Sequence, residues 1–162
     1  MNKITVIGLD GKLPPEVDRM AERIGEDIAN SGCVLICGGK KGVMEAACRG
    51  AKKAGGITVG ILPSFDGSEA NDYVDVVIPS GMGYARNTLV VSSGDAIVSL
   101  NGSTGTLSEI AMALNYGKPV FCIEGSGGVT DKVRNALADD KRVSQIKMVK
   151  AEDAIRECLK FI

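Results

Sequence analysis

Arg86 and Glu109 are the side chains of this 162-residue sequence best suited to chemistry, and each stands beside glycine-rich sequence. Arginine offers a planar fork for a phosphate, or a flat face for a ring. A glutamate can orient a hydroxyl, accept a proton or face a developing positive charge. Glu109 closes the segment Asn101-Gly102-Ser103-Thr104-Gly105-Thr106-Leu107-Ser108-Glu109. The apolar run Ala96–Leu100 precedes it, and Leu107, Ile110, Ala111 and Leu114 continue it at helical spacing. A glycine turn between a strand and a helix presents unpaired N–H groups at the positive end of the helix dipole, where phosphate binds. Asn101, Gly102, Ser103, Thr104, Gly105 and Thr106 are therefore expected to hold a phosphate. Glu109 is expected in the first helical turn, ionised by its place near the helix N-terminus. Read alone, Thr104 or Thr106 would merely cap the helix and Glu109 merely complement its dipole.

Two further turns follow apolar runs. In Cys37-Gly38-Gly39-Lys40-Lys41-Gly42-Val43-Met44, glycines 38 and 39 permit a close backbone approach, and Gly42 stands where the next helix begins. A tight turn with no ligand explains that segment equally well. In Pro79-Ser80-Gly81-Met82-Gly83-Tyr84-Ala85-Arg86-Asn87 the chain bends at Gly81 and Gly83 and delivers Arg86 to a helix start. Gly38, Gly39, Gly42, Met82 and Gly83 are the expected ligand contacts from these turns. Neither the P-loop lysine nor a G-x-G-x-x-G fingerprint is present, which disfavours a P-loop nucleotide site and NAD or FAD.

What is missing narrows the chemistry. The sequence has no histidine, so a Ser-His-Asp or Cys-His nucleophile and a His-based zinc site are excluded. Five cysteines without Cys-x-x-Cys spacing read as reduced core thiols, which points to a cytoplasmic protein and to no metal site. Cys37, just before a glycine turn, is expected to serve packing. A net charge of −1 gives no reason to expect nucleic acid, and no run reaches the ~20 apolar residues of a membrane span.

These turns need a scaffold, and the rest of the sequence describes one. Apolar runs at Ile4–Leu9, Cys33–Cys37, Thr58–Leu62, Val74–Ile78, Ala96–Leu100, Val120–Ile123 and Ile146–Val149 read as strands covered on both faces. Helical patterns alternate with them: Pro14-Pro15 to Ser31-Gly32, Val43–Ala54, Arg86–Ser92, Thr104–Tyr116, Val129–Leu137 and Ala151–Leu159. Residues 1–162 thus read as a single-domain α/β fold. It is a doubly wound parallel sheet (Rossmann-like) of about seven strands with helices on both faces, and it binds ligands beyond the strands' carboxyl ends. The polar loop Pro63 to Asn71 is expected to rim the site.

Taken together the turns resemble a known superfamily over nearly the whole sequence. Gly38-Gly39-Lys40-Lys41-Gly42-Val43-Met44 is similar to the GGGxxGLMG motif of the LOG family, the cytokinin riboside 5′-monophosphate phosphoribohydrolases. Asn101–Glu109 resembles that family's PGGxGTxxE motif, and Arg86 stands at the place of its catalytic arginine. Four departures are visible. Asn101 replaces the motif's proline, Ser103 its second glycine and Asn87 a common lysine, while Tyr84 stands where a histidine is usual. Gly8-Leu9-Asp10-Gly11 also puts an aspartate where phosphate would be repelled unless the side chain turns away. Glu45 and the sequence Leu107-Ser108-Glu109-Ile110 are closer to the molybdenum cofactor carrier branch, which binds a pterin phosphate without cleaving it.

The resemblance implies two readings. The leading one is a carrier for a phosphorylated small-molecule ligand, a pterin (molybdenum cofactor) or a nucleotide, with no cofactor required. The alternative is hydrolysis of a nucleoside 5′-monophosphate to base and ribose 5-phosphate, with Arg86 and Glu109 catalytic. It also implies a homodimer or homotetramer, for which Met82, Tyr84, Leu89 and Val90 are candidate contacts.

Overall fold

A computed structural model describes all of residues 1–162. Seven strands form one parallel sheet: β1 Lys3–Gly8, β2 Val34–Cys37, β3 Thr58–Leu62, β4 Val76–Pro79, β5 Ala96–Leu100, β6 Val120–Ile123 and β7 Ile146–Val149. Six helices alternate with them: α1 Pro15–Asn30, α2 Val43–Lys53, α3 Asn87–Ser93, α4 Thr104–Asn115, α5 Gly128–Ala136 and α6 Ala154–Cys158. The spatial order is β4-β3-β2-β1-β5-β6-β7. The chain winds outward from β1 to β4, returns to lay β5 beside β1, then winds the other way. The switch point therefore lies between β1 and β5, with Gly8 paired to Leu100 at its carboxyl edge.

Alternation along each strand divides the core in two. Ile4, Val6, Leu35, Cys37, Val98, Leu100, Phe121 and Ile123 face α1, α2 and α6. Ile7, Ile36, Ile97, Val120 and Cys122 face the opposite layer, with Val90 and Val91 of α3, Ile110 and Leu114 of α4 and Val133 of α5. The α1–α2 contact is tight because small residues meet there. A Cβ on Gly25 would lie 1.9 Å from the Ala47 carbonyl oxygen, and one on Gly50 1.8 Å from that of Glu22. Arg49 ties the same pair of helices, donating at 2.6 Å to both Asp18 and Glu22.

Boundaries moved where side chains intervene. Arg86 belongs to a short 3₁₀ turn, Gly83–Arg86, ahead of α3, and Ala151–Asp153 forms another ahead of α6. The fourth strand starts at Val76 because the residues just before it are bound elsewhere: Val74 donates to the Asn71 carbonyl, and the Asp75 carboxylate accepts from the amide and hydroxyl of Thr58 on β3. This strand also departs from the expectation of cover on both faces. It is the sheet's edge, and Val76, Val77 and Ile78 are each more than 40% exposed. No helix is long and apolar enough to cross a membrane.

Candidate functional site

A cavity of about 430 Å³ opens above the switch point. Its floor and walls come from the carboxyl ends of β1 and β2, the turn before α3 and the first turns of α4. Of the expected site residues, Gly38, Gly83, Arg86, Ser103, Thr104, Gly105, Thr106 and Glu109 line it. Gly39, Gly42, Met82, Asn101 and Gly102 do not.

The α4 terminus is built by two residues that keep the chain out of helical geometry until the last moment. Asn101 has φ +53°, unique among the non-glycine residues, and Gly102 follows at φ +92°. Asn101 tolerates that conformation because its backbone and side chain are held at every polar atom. Its amide donates to Ser126 Oγ at 2.9 Å, its Nδ2 to the Ser126 carbonyl at 2.8 Å, and its Oδ1 accepts the Gly102 N–H at 2.6 Å. Its carbonyl takes the Thr130 hydroxyl at 2.7 Å. A proline, locked near φ −65°, could not stand there. At Gly102 a Cβ would lie 2.2 Å from Thr106 Oγ1. These two residues shape the turn, and the Gly102 amide is spent inside it.

Ser103 is then the N-cap, with no side-chain capping bond. The amides of Ser103, Thr104, Gly105 and Thr106 have no protein acceptor. Four unpaired donors at the positive end of a 12-residue helix face the cavity. Because the helix begins at Thr104, Glu109 falls in its second turn, not its first, and on the same face as Thr106.

That position changes its electrostatics. Glu109 is only 8% exposed and no hydrogen bond or ion pair reaches it. Burial pushes its carboxyl up from 4.5 to about 7, against a smaller opposing pull from the Arg86 charge. The expected ionised first-turn glutamate is replaced by a second-turn carboxyl that holds its proton more strongly, because desolvation outweighs the Arg86 charge.

Arg86 is equally buried, also at 8%. It enters no salt bridge with any carboxylate; instead its guanidinium donates through Nη1 to the Asn87 side-chain oxygen and through Nη2 to the Gly38 carbonyl at 3.4 Å. Its Nε, fully buried, has no partner. The missing side chain of Gly38 lets both neighbours pack in: a Cβ would lie 2.7 Å from Nη2 and 2.9 Å from the Met44 sulfur, and either side chain would have to shift to admit it. Asn87 carries the arginine's position onward, since its Nδ2 donates to Ser108 Oγ at 3.3 Å and Ser108 donates to the Gly105 carbonyl at 2.6 Å. The guanidinium and the α4 terminus are thus mechanically linked.

The remaining expected residues frame the site. Gly42, at φ +63°, brings α2 against the end of β1, where Val43 N–H donates to the Leu9 carbonyl at 2.9 Å. The Gly39 carbonyl accepts from the Asn71 amide at 2.8 Å, which pins the 63–71 loop to the turn. Met82 lies on the outer surface, 46% exposed. Cys37 is fully buried, 3.6 Å from the Cys48 sulfur, and accepts the Gly39 N–H at 3.3 Å. No three His, Cys, Asp or Glu side chains cluster to hold a metal ion.

Cavity residues beyond the expected contacts are Val6 and Ile7 of β1, together with Gly8, Leu9, Lys40, Met44 and Pro63 from turns and a loop that the sequence already marks. Asp10 and Asn87, departures from a family pattern, line it too, as does Tyr84, which is also a candidate subunit contact. The position of β1 as the first strand of a doubly wound sheet was the available signal, because the first strand ends beside the switch point. Asp10 does not aim an uncompensated charge inward: it accepts the Lys41 N–H at 3.1 Å and lies 3.6 Å from Lys40 Nζ.

Fold and site define a Rossmann-like α/β protein whose switch-point crevice combines free helix-terminal amides with a buried arginine and a buried acid. The SLOG cluster4 family model matches residues 1–156, and the chain belongs to that family. An uncharacterized protein of Archaeoglobus fulgidus is 50% identical over 122 residues, covering 75% of this chain and 80% of its own. The molybdenum cofactor binding protein of Rippkaea orientalis superposes with a TM-score of 0.88 at 36% identity, over 98% of this chain and 95% of its own. The cytokinin riboside 5′-monophosphate phosphoribohydrolase of Mycobacterium tuberculosis is 29% identical over 161 residues, covering 88% and 86%. The resemblance to both the LOG and the carrier proteins stands.

Proposed function

We propose that this protein binds a small phosphorylated heterocycle, a phosphopterin such as molybdenum cofactor or a nucleoside monophosphate, and carries it without cleaving it. The observation that carries this reading is the set of four unpaired amides, Ser103 to Thr106, opening on the same cavity as Arg86. The amides hold the phosphate. Arg86, whose Nε lacks a partner, meets the ligand's polar edge, and Gly38 and Gly83 form walls close to its ring. A cavity of about 430 Å³ lies toward the small end of ligand sites, which suits one phosphorylated ring system. Asn101, Gly102, Gly39 and Gly42 act indirectly, by shaping the turns. Likeness to the Rippkaea orientalis protein favours a pterin. Five buried free thiols suit the cytoplasm.

Mass spectrometry of small molecules released by denaturing freshly purified protein tests the reading. A pterin phosphate or a mononucleotide is expected at near one per chain. If neither is released, and neither binds on titration, the carrier assignment is wrong.

The presence of Arg86 and Glu109 in one cavity favours hydrolysis of a nucleoside 5′-monophosphate as the second reading. Free base released from AMP, and lost on Glu109→Gln, would replace the carrier reading with this one. We also propose that a second copy covers the apolar surface of Val76, Val77, Ile78, Met82, Tyr84 and Leu89, giving a homodimer or homotetramer. Val90 is no part of it, being fully buried in the core. Light scattering after gel filtration checks the mass, and a monomer at micromolar concentration would refute the proposal.

A further inference from the structure

Thr106 and Glu109 lie three residues apart on one face of α4, about 4.5 Å along the helix axis. Thr106 supplies the last unpaired amide of the cradle, so an anion seated there lies within about a helical turn of the Glu109 carboxyl. Neither group is shielded from the other by a hydrogen-bond partner on Glu109. The acid is buried, so charge on it is felt strongly by a neighbouring phosphate.

Resting on the reading above, we propose that the site takes up one proton together with its phosphate ligand, and that Glu109 is the group that accepts it. A dianionic phosphate and an ionised carboxylate repel each other, and the pair relieves this by protonating the carboxylate. Once neutral, Glu109 gains an O–H donor that a ring nitrogen, carbonyl or phosphate oxygen of the ligand can accept. The surrounding charges do not cancel the effect. Arg86, from the turn before α3, pulls the other way but already acts on the free protein, where burial outweighs it. Asp10 and Lys40 beyond β1 and β2 face each other at the rim. Asp131 of α5 is engaged by the amides of Gly125 and Gly127. The Cys37 thiol on β2 also feels Glu109, and it is held by Cys48 and the Gly39 amide.

Calorimetric titration with AMP, in two buffers of unlike ionisation enthalpy at pH 7.5 to 8, reads the proton count. The second ionisation of a phosphomonoester, near pH 6, is almost complete there. Wild-type protein is expected to absorb more than half a proton per ligand and Glu109→Gln close to none. From pH 7 to 8.5 the wild-type affinity should fall about tenfold, following the tenfold-per-unit slope of proton linkage. Binding with equal heats in both buffers and no such fall overturns the proposal, as does an undiminished proton count in Glu109→Gln. Should the variant not fold, the wild-type heats and pH slope decide alone. If AMP, a pterin monophosphate and inorganic phosphate all fail to bind anywhere from pH 5.5 to 8.5, the ligand reading itself falls and the proton uptake with it.

Discussion

Replacing Glu109 with glutamine should make the protein more resistant to alkaline conditions, even with no ligand present. In the unfolded chain the carboxyl titrates near 4.5, and in the folded protein burial raises it to about 7. Between those values the folded state binds more protons than the unfolded state, so stability falls as pH rises through this window. Each tenfold change in proton affinity is worth about 1.4 kcal/mol. The full penalty on the wild type is then about 3 kcal/mol at pH 8 and under about 1 kcal/mol at pH 5. Glutamine has the same shape and no charge to desolvate. The stability of Glu109→Gln relative to wild type should therefore grow by about 2–3 kcal/mol from pH 5 to pH 8, a relative gain of several degrees in Tm for a chain of this length. Urea denaturation at a series of pH values measures it directly. A gap that stays constant with pH, or that narrows as pH rises, would refute the claim that burial without a partner raises the proton affinity of Glu109.

Three other substitutions probe the turns. Gly102→Ala places a Cβ against Thr106 at φ +92° and should cost about 2–4 kcal/mol while loosening the cradle, read by denaturation and by phosphate titration. Asn101→Pro, which brings back the residue common in related motifs, should be more harmful than Asn101→Asp, because φ +53° is closed to proline. Arg86→Lys keeps the charge but loses the fork shared between Asn87 and Gly38; ligand affinity should drop roughly tenfold or more, on the scale of charge-assisted hydrogen bonds. Equal affinity in that variant would show that Arg86 acts only as a charge.

The sequence made the scaffold legible because both its signals are local. Continuous apolar runs such as Val120–Ile123 and stripes such as Val17, Ala21, Ile24 and Ile28 need no distant partner to be recognised. The strand order is not local, and so nothing in the residue types marks Val6 and Ile7 of β1 as cavity wall. Asn101 illustrates the same limit at one residue. It reads as a phosphate contact, yet it lies outside the cavity lining and binds Ser126, 25 residues away on the turn after β6. Asn87 read as a departure from a pattern, whereas the fold makes it the link from Arg86 to Ser108. Glu109 lies one turn later in the helix than its spacing suggests, because nothing in the residue types says that Asn101 and Gly102 delay the helix until Thr104.

The state of that glutamate separates the two functional readings more sharply than the fold does. Stabilising an oxocarbenium-like transition state, or activating water, requires Glu109 ionised. Holding a phosphate one helical turn away is easiest with Glu109 neutral. With a carboxyl that titrates near 7, the two activities must respond to pH in opposite directions. Glycosidic cleavage of AMP, if the protein performs it, should climb in kcat/KM as pH passes from 6 to 8, while affinity for the same nucleotide weakens above 7. A protein selected to carry its ligand has no use for the first trend and gains from the second, since a buried acid that loses its proton offers a way to release cargo. Parallel profiles of base release and of binding over pH 6 to 8.5 would therefore assign the site: a rising rate favours the hydrolase, and falling affinity with no free base favours the carrier.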